Sequence, residues 1–233
     1  MTPGPDFGPW FKALHLASPA LPVGGFSYSA GLEAACAAEI AHDEASVQDW
    51  IRASLQTALE RAEAPAWLLF YRAWQTSRWD ELQSLNAWFL ATRETLELRR
   101  ESEQMGWSLV HIATDLRWGG DDARAQLLAM RPISYPTASA FACAAQAIPE
   151  ELGVAAYCFA WLENQVTAAL KTLPLGQAAG QRILTRLMEI LPALIERARD
   201  RAEQGQDGIE TLAPQLAILS ARHETQYSRL FRS

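Results

Sequence analysis

Apolar residues recur along this chain at the three- and four-residue spacing that is typical of amphipathic helices. The segment from Asp43 to Ala62 opens on the capping pattern Ser46-Val-Gln-Asp49, and its apolar positions form one stripe. Pro65 suits the first turn of a helix, so the sequence predicts a new helix from there to about Gln75. This pattern is that of helices packed on a shared core.

Prolines and glycines divide the rest of the chain into further helices. One long helix ends at Trp118-Gly-Gly, and Pro149 with two following glutamates starts another. The stretch Val154 to Leu173 is apolar on nearly all sides, which predicts the central helix of a bundle. Pro192 lies inside the helical pattern from about Gln177 to Glu203 and should break it near Leu191.

The last predicted helix is capped by Thr211 and carries Leu212, Leu216 and Leu219 on one face. The chain has no alternating strand run of useful length and no Asn-Gly hairpin turn. The sequence therefore predicts an all-α, single-domain multi-helix bundle over residues 1–233. We expect residues 1–8 to be frayed because they are rich in Pro and Gly.

Composition excludes several classes of partner. About half of the 233 residues are apolar, and the net charge is −7, so the basic surface that nucleic acids require is missing. The longest apolar stretch, Leu152–Leu162, is too short to span a membrane, and Met1–Phe11 does not resemble a secretory signal. Three widely spaced cysteines, Cys36, Cys143 and Cys158, suit buried thiols in a reducing compartment. These features predict a cytoplasmic protein.

The residue patterns of common active sites are missing from the sequence. No two of the four histidines have the spacing of a helical metal pair, and no phosphate-binding loop or GxSxG motif occurs. Glu101 and Glu103 are two residues apart and do not share a helix face. We therefore expect no catalytic residue, no metal ligand and no cofactor in this chain.

The C-terminal tail, Ser220–Ser233, differs from the rest of the chain, and residues 222–233 are its predicted partner-binding part. It carries Arg222, Arg229 and Arg232 against a single acid, and its apolar side chains form a small cluster. Ordering one residue costs roughly 1–2 kcal/mol, whereas burying one apolar side chain returns roughly 1.5–3 kcal/mol. Three such side chains cannot hold fourteen residues, so we expect a mobile tail that becomes ordered against a partner.

Four motifs give the chain a specific resemblance. They are SPALPVGGFSYSAGLE at Ser18–Glu33, the RETLELR and EQMG runs at Arg93–Gly106, PLGQ with a following GQ at Pro174–Gln181, and HETQYSRLFRS at His223–Ser233. In this order and at these places they resemble the urease accessory proteins of the UreF family. The resemblance runs from about Leu14 to Ser233, although the region from about Asp115 to Ala156 matches in helical character only.

The resemblance implies an all-helical, non-catalytic protein that forms a homodimer. Such proteins bind UreD (also called UreH) and recruit the GTPase UreG, which carries nickel for apo-urease. Nickel and GTP are then handled by partners. As a checkpoint, the chain would couple GTP hydrolysis to nickel release, with an internal polar passage for the ion.

By the same analogy, the tail and the glycine turn form the surface that contacts UreD and recruits UreG. Phe26 and Tyr28 are the expected ring anchors, Arg229 and Arg232 the expected charge-assisted contacts, and Leu230 and Phe231 the expected apolar plug. The remaining residues assigned to this surface are Glu33, Arg222, His223, Glu224 and Tyr227. Tyr157, Phe159 and Trp161 form a possible dimer face, although a plain core position is at least as good an interpretation.

Two alternatives remain open on the sequence. The chain could carry nickel itself, against which the scattered His and Cys residues argue. It could instead activate the GTPase with an arginine finger, for which Arg229 or the Arg99-Arg100 pair would be the candidates.

Overall fold

The structure, a computed structural model, describes residues 6–232, and most of this range is helical. No β-strand occurs among the described residues, so the predicted all-α fold is confirmed. The α-helices are α1 (Gly8–Ala17), α2 (Leu32–Ala37), α3 (Glu44–Ser54), α4 (Ala64–Gln75), α5 (Trp79–Ala91), α6 (Leu96–Asp115), α7 (Asp121–Ala129), α8 (Tyr135–Ala145), α9 (Glu150–Thr172), α10 (Gln177–Met188), α11 (Leu191–Ala202) and α12 (Pro214–His223). Their buried apolar side chains form one continuous cluster.

Helices α3 and α4 are joined by a π-helical stretch, Leu55–Glu63, and not by a break at Pro65. A proline inside a helix leaves the carbonyl four residues earlier without its donor. Here that carbonyl belongs to Arg61, and it accepts a hydrogen bond from the backbone N–H of Glu210 at 2.9 Å. The predicted helix from Pro65 to about Gln75 is confirmed, because α4 spans Ala64–Gln75 with Pro65 in its first turn, and a distant segment satisfies the carbonyl that the proline frees.

The capping residues differ from prediction at two helices. The cap of α3 is Asp43, whose carboxylate accepts from the Ser46 N–H at 2.8 Å while the Ser46 hydroxyl accepts from the Asp43 N–H at 3.0 Å. Helix α12 begins at Pro214, without a side-chain cap, so Thr211 is not its capping residue. The predicted break before Pro192 is confirmed, because α10 ends at Met188 and α11 begins at Leu191.

The predicted central helix is α9, which packs against α1, α2, α4, α10 and α11. Tyr157 on this helix is 5% exposed, and its hydroxyl donates to the Glu63 carboxylate at 2.6 Å. The fold therefore places Tyr157 in the core and not on a dimer face. Phe159 and Trp161 are half-buried, so a dimer face at these two residues stays a prediction.

Small residues let α6 and α8 approach closely. A Cβ added at Gly106, in the middle of α6, would lie 2.4 Å from the carbonyl oxygen of Ile133 and 2.9 Å from the carbonyl carbon of Ser134. Helix α8 itself is rich in alanine and lies in the core beside the indoles of Trp67 and Trp74. Its sequence has no apolar stripe, which is why periodicity did not predict it.

The N-terminal helix α1 starts earlier than the composition suggests. The predicted fraying of residues 1–8 is wrong for Gly8, which begins α1, while residues 1–5 lie outside the described residues. Over the described part of the chain, no helix combines the length and the apolar character needed to cross a membrane.

Gly106→Ala should destabilise the protein, although alanine is the better helix former, because the new methyl group meets backbone atoms that cannot rotate away. We expect a loss of about 1–3 kcal/mol in the free energy of unfolding, measured by denaturant titration. Gly120→Ala is the control, since no atom lies within 4 Å of its added Cβ. Equal effects of the two substitutions would contradict the close contact between α6 and the segment before α8.

Candidate functional site

The glycine turn, residues 24–31, places one carboxylate inside the protein. Gly24 and Gly31 have φ angles of +84° and +79°, and a Cβ at Gly31 would lie 2.8 Å from the Leu216 side chain. The turn leads directly into α2, so that Glu33 points towards α12 and is only 5% exposed. A buried charge of this kind must be paired or hydrogen-bonded.

The Glu33 carboxylate accepts hydrogen bonds from the tail. Its Oε1 accepts from the backbone N–H of Leu230 at 2.7 Å, and its Oε2 accepts from the N–H of Phe231 at 2.9 Å. The same Oε2 lies 3.1 Å from Nε2 of His223, whose ring is fully buried. One side chain of α2 thus contacts both the end of α12 and the tail.

A second buried carboxylate, Glu97 at the start of α6, completes the arrangement. Its Oε2 lies 2.8 Å from Nδ1 of His223, and its Oε1 accepts from the Arg229 guanidinium at 2.7 Å. Both ring nitrogens of His223 therefore face carboxylates. We call Glu33, Glu97, His223 and Arg229 the carboxylate latch, in which two buried carboxylates face an imidazole ring and a guanidinium group.

The tail also contacts the glycine turn. The backbone N–H of Arg232 donates to the Ser27 carbonyl at 2.8 Å. The Lys171 ammonium lies 5.5 Å from the Phe26 ring centre and 5.8 Å from that of Phe231, within the range of cation–π attraction. Neither Ser27 nor Lys171 was predicted, because no motif links them to the tail.

The two predicted ring anchors differ in their exposure to solvent. Phe26 is 64% exposed and can contact a partner, whereas the Tyr28 ring is buried. Burial raises the pKa of Tyr28, and the hydrogen bond with the Arg232 side chain partly offsets this rise. Tyr28 therefore acts as an internal support of the tail in this structure, which corrects its prediction as an anchor.

The two residues of the predicted apolar plug also differ in their exposure to solvent. Phe231 is 6% exposed and belongs to the core, whereas Leu230 is 69% exposed and Tyr227 is fully exposed. Arg222 is exposed at the end of α12, and the Glu224 carboxylate accepts from the Leu96 N–H at 3.0 Å. Among the predicted partner-binding residues discussed above, the exposed ones are thus Phe26, Arg222, Tyr227 and Leu230.

These contacts give the tail fixed partners in the structure, and its mobility in the isolated protein stays a prediction. Arg222 and His223 belong to α12, so the tail begins only after that helix, and its last described residue is Arg232. The sequence-based estimate counted three apolar side chains, and the structure buries only Phe231 of these. The estimate did not include the hydrogen bonds that the tail donates to Glu33 and Glu97, although both glutamates lie in the motifs that carry the family resemblance.

A partly open cavity of about 150 Å³ lies beside the glycine turn, and its lining is partly polar. Glu63, Arg93 and Tyr157 line it, and the Nε of Arg93 and the Oε1 of Gln165 are buried without a hydrogen-bond partner among the described residues. Within the same residues, no cluster of three or more His, Cys, Asp or Glu side chains is arranged to hold a metal ion.

All three cysteines are free, and burial makes their thiols poor metal ligands at neutral pH. Burial raises the pKa of Cys36 to about 11 and that of Cys143 to about 12, and it raises the pKa of Cys158 further. The thiolate is the form that binds metals and reacts with electrophiles. A raised pKa therefore disfavours both reactions.

Alkylation of Cys36 by iodoacetamide should be slow in the folded protein. A pKa of about 11 instead of 9 leaves roughly 100-fold less thiolate at pH 7.5, and the rate should fall accordingly. Mass spectrometry of the native and the urea-unfolded protein measures the rate at each cysteine. Labelling of native Cys36 at the unfolded rate would show that its thiol is not shielded.

Glu33→Gln should weaken the carboxylate latch, because the side-chain NH2 group of glutamine cannot accept a hydrogen bond from a tail N–H group. Leaving a buried donor unsatisfied costs about 1–3 kcal/mol, so we expect a comparable loss of stability and faster tryptic cleavage after Arg229. Glu224→Gln is the matched control, since Glu224 is exposed. Identical cleavage rates in the two variants would count against the latch.

Comparison with known proteins agrees with the motifs. The UreF family model matches residues 41–188. The urease accessory protein UreF of Bordetella parapertussis is 54% identical over 220 residues, which cover 94% of this chain and all of that protein. UreF of Cupriavidus pinatubonensis is 52% identical over 94% of this chain and 96% of its own length.

A longer relative joins two accessory units in one chain. The bifunctional urease accessory protein UreEF of Bordetella bronchiseptica is 54% identical over all 233 residues of this chain. The chain spans only 54% of the length of that relative, and it spans nearly the whole of the UreF proteins.

Proposed function

The chain belongs to the UreF family of urease accessory proteins, and we propose on that premise that it is a non-catalytic scaffold of urease maturation. With UreD (UreH) it recruits the nickel-carrying GTPase UreG and supports GTP-dependent insertion of nickel into apo-urease. It acts in the cytoplasm as a homodimer, and its partners bind the nickel and the GTP.

The observation that carries this proposal is the fixed position of the tail. The carboxylate latch and the Arg232–Ser27 hydrogen bond hold the tail against the glycine turn. This arrangement leaves Phe26, Tyr227 and Leu230 exposed. Exposed aromatic and aliphatic side chains on a preorganised backbone are the features that protein interfaces use as anchors.

The alternative functions are less well supported. A chain that carried nickel itself would need deprotonated ligands, whereas burial raises the pKa of all three thiols. An arginine finger must be free to reach a nucleotide. The Arg229 guanidinium is engaged by Glu97 and the Arg99 guanidinium by Glu103, so Arg100 is the better candidate for that role.

If nickel passes through this protein, the cavity beside the glycine turn is the proposed route. Its carboxylate and phenol groups suit a hydrated cation, and Trp161 beside it belongs to the proposed dimer face. This placement would put the ion route near the contact between two copies of the chain.

Tyr227→Ala and Leu230→Ala should weaken recruitment of UreG without destabilising the protein, because both side chains are exposed. We expect each to cost about 1–2 kcal/mol of binding free energy, measured by titration calorimetry with purified UreD and UreG. Leu212→Ala is the matched control, since Leu212 is 74% exposed on a different segment. Unchanged affinity in both tail variants would contradict the proposed surface.

Deletion of residues 227–233 is the cleaner truncation. Removal from residue 222 would also delete His223, which is fully buried, and so would damage the core. We expect the shorter deletion to keep most of the helical circular-dichroism signal, to lower the free energy of unfolding because Glu33 loses the Leu230 and Phe231 amides, and to lose the complex in size-exclusion chromatography. A complex of unchanged mass would refute recruitment by the tail.

A further inference from the structure

A groove of about 870 Å³ runs between α6, the segment after α7, and the tail. Its apolar side chains include Trp107, Leu128 and Leu230, which are 52%, 37% and 69% exposed. The Trp107 indole is held by the His111 ring, whose centre lies 3.9 Å away. The groove thus offers a positioned aromatic surface to a partner side chain.

The charge of the groove is opposite to that of the protein as a whole. Four arginines line it, Arg100, Arg131, Arg229 and Arg232, on a chain whose net charge is −7. Its two acids are already engaged, because Glu97 accepts from Arg229 and His223, and Glu103 accepts from Arg99 outside the groove. The groove wall is therefore positively charged.

Arg131 and Arg100 are placed to receive carboxylates. Both are exposed, and the Arg131 Nε donates to the Leu128 carbonyl at 3.1 Å, which fixes the guanidinium beside an exposed apolar side chain. Guanidinium groups pair with carboxylates in two-point geometry more favourably than ammonium groups do. A ligand for this site needs carboxylates on either side of an apolar group.

We propose that this groove docks an acidic segment of a partner protein, with carboxylates flanking at least one large apolar side chain. The apolar side chain lies against Trp107 and Leu230, while the carboxylates pair with Arg100 and Arg131. This inference rests on the proposed function, since it adds a recognition site next to the tail. A nucleic acid would use the arginines but not the apolar groove lining, and the acidic chain would repel it.

Photo-cross-linking in the whole complex identifies the occupant of the groove. Benzoylphenylalanine replaces Trp107, and in a control protein it replaces Leu212, outside the groove. Each chain is co-expressed with the urease accessory partners and irradiated. Mass spectrometry should find the position-107 adduct on a partner peptide with at least two Asp or Glu residues close to a large apolar residue, and the control should not form that adduct.

The proposal is overturned if the complex forms but position 107 gives no adduct, an adduct to a segment without carboxylates, or an adduct to nucleic acid. Failure of the proposed function is a different result, in which the wild-type chain forms no complex with these partners. In that case the groove proposal fails with it.

Charge removal gives a second, quantitative test. Arg100→Gln with Arg131→Gln should weaken binding to the accessory partners about tenfold at 0.15 M salt and reduce the dependence of the affinity on salt. Arg52→Gln with Arg186→Gln removes the same charge from helices outside the groove. An equal loss in both double variants would show that only net charge matters and would overturn the groove proposal.

Discussion

The buried carboxylate of Glu33 is the group on which the C-terminal part of this structure depends. A charge removed from water costs several kcal/mol unless donors surround it. Glu33 has such donors in the amides of Leu230 and Phe231, and its carboxylate also lies beside the His223 ring, so that it contacts two segments far along the chain. The glycine turn, α12 and the tail are therefore joined by the need to satisfy one side chain.

The second carboxylate adds a further contact between the latch and the tail. Glu97 shares His223 with Glu33 and also accepts from the Arg229 guanidinium, so that two carboxylates hold the same histidine ring. Geometry of this kind is specific, because a shift of the tail by one residue would move Arg229 away from Glu97. The latch thus sets which side chains of the tail point inward and which point to solvent, and it presents them without the entropy cost of folding on binding.

Much of the helical fold could be predicted from local signals. The spacing of apolar residues and the break at Pro192 depend on neighbours in sequence, and the structure agrees with them. Local signals did not show the contacts that distant groups make. The Arg61 carbonyl freed by Pro65 is satisfied by Glu210, and the alanine-rich α8 is held by its contacts with α4 and α6.

In the candidate site, too, local signals located the segments but did not show the contacts between distant residues. Motifs identified the right segments, yet they did not show that Tyr28 and Phe231 face inward while Phe26 and Leu230 face outward. An area-based estimate predicted a mobile tail because it contained no term for amides that donate to buried carboxylates. Glu33 and Glu97 inside otherwise apolar motifs were the available signal, since an acid at a buried position needs a partner.

Hydrogen exchange of the tail amides in the isolated protein tests this account most directly. The N–H groups of Leu230 and Phe231 donate to the buried Glu33 carboxylate, so they should exchange far more slowly than those of an unfolded chain, with no partner present. Exchange of both amides at the unfolded rate, beside protected amides in α9, would contradict the latch and would return the tail to a segment that a partner must order.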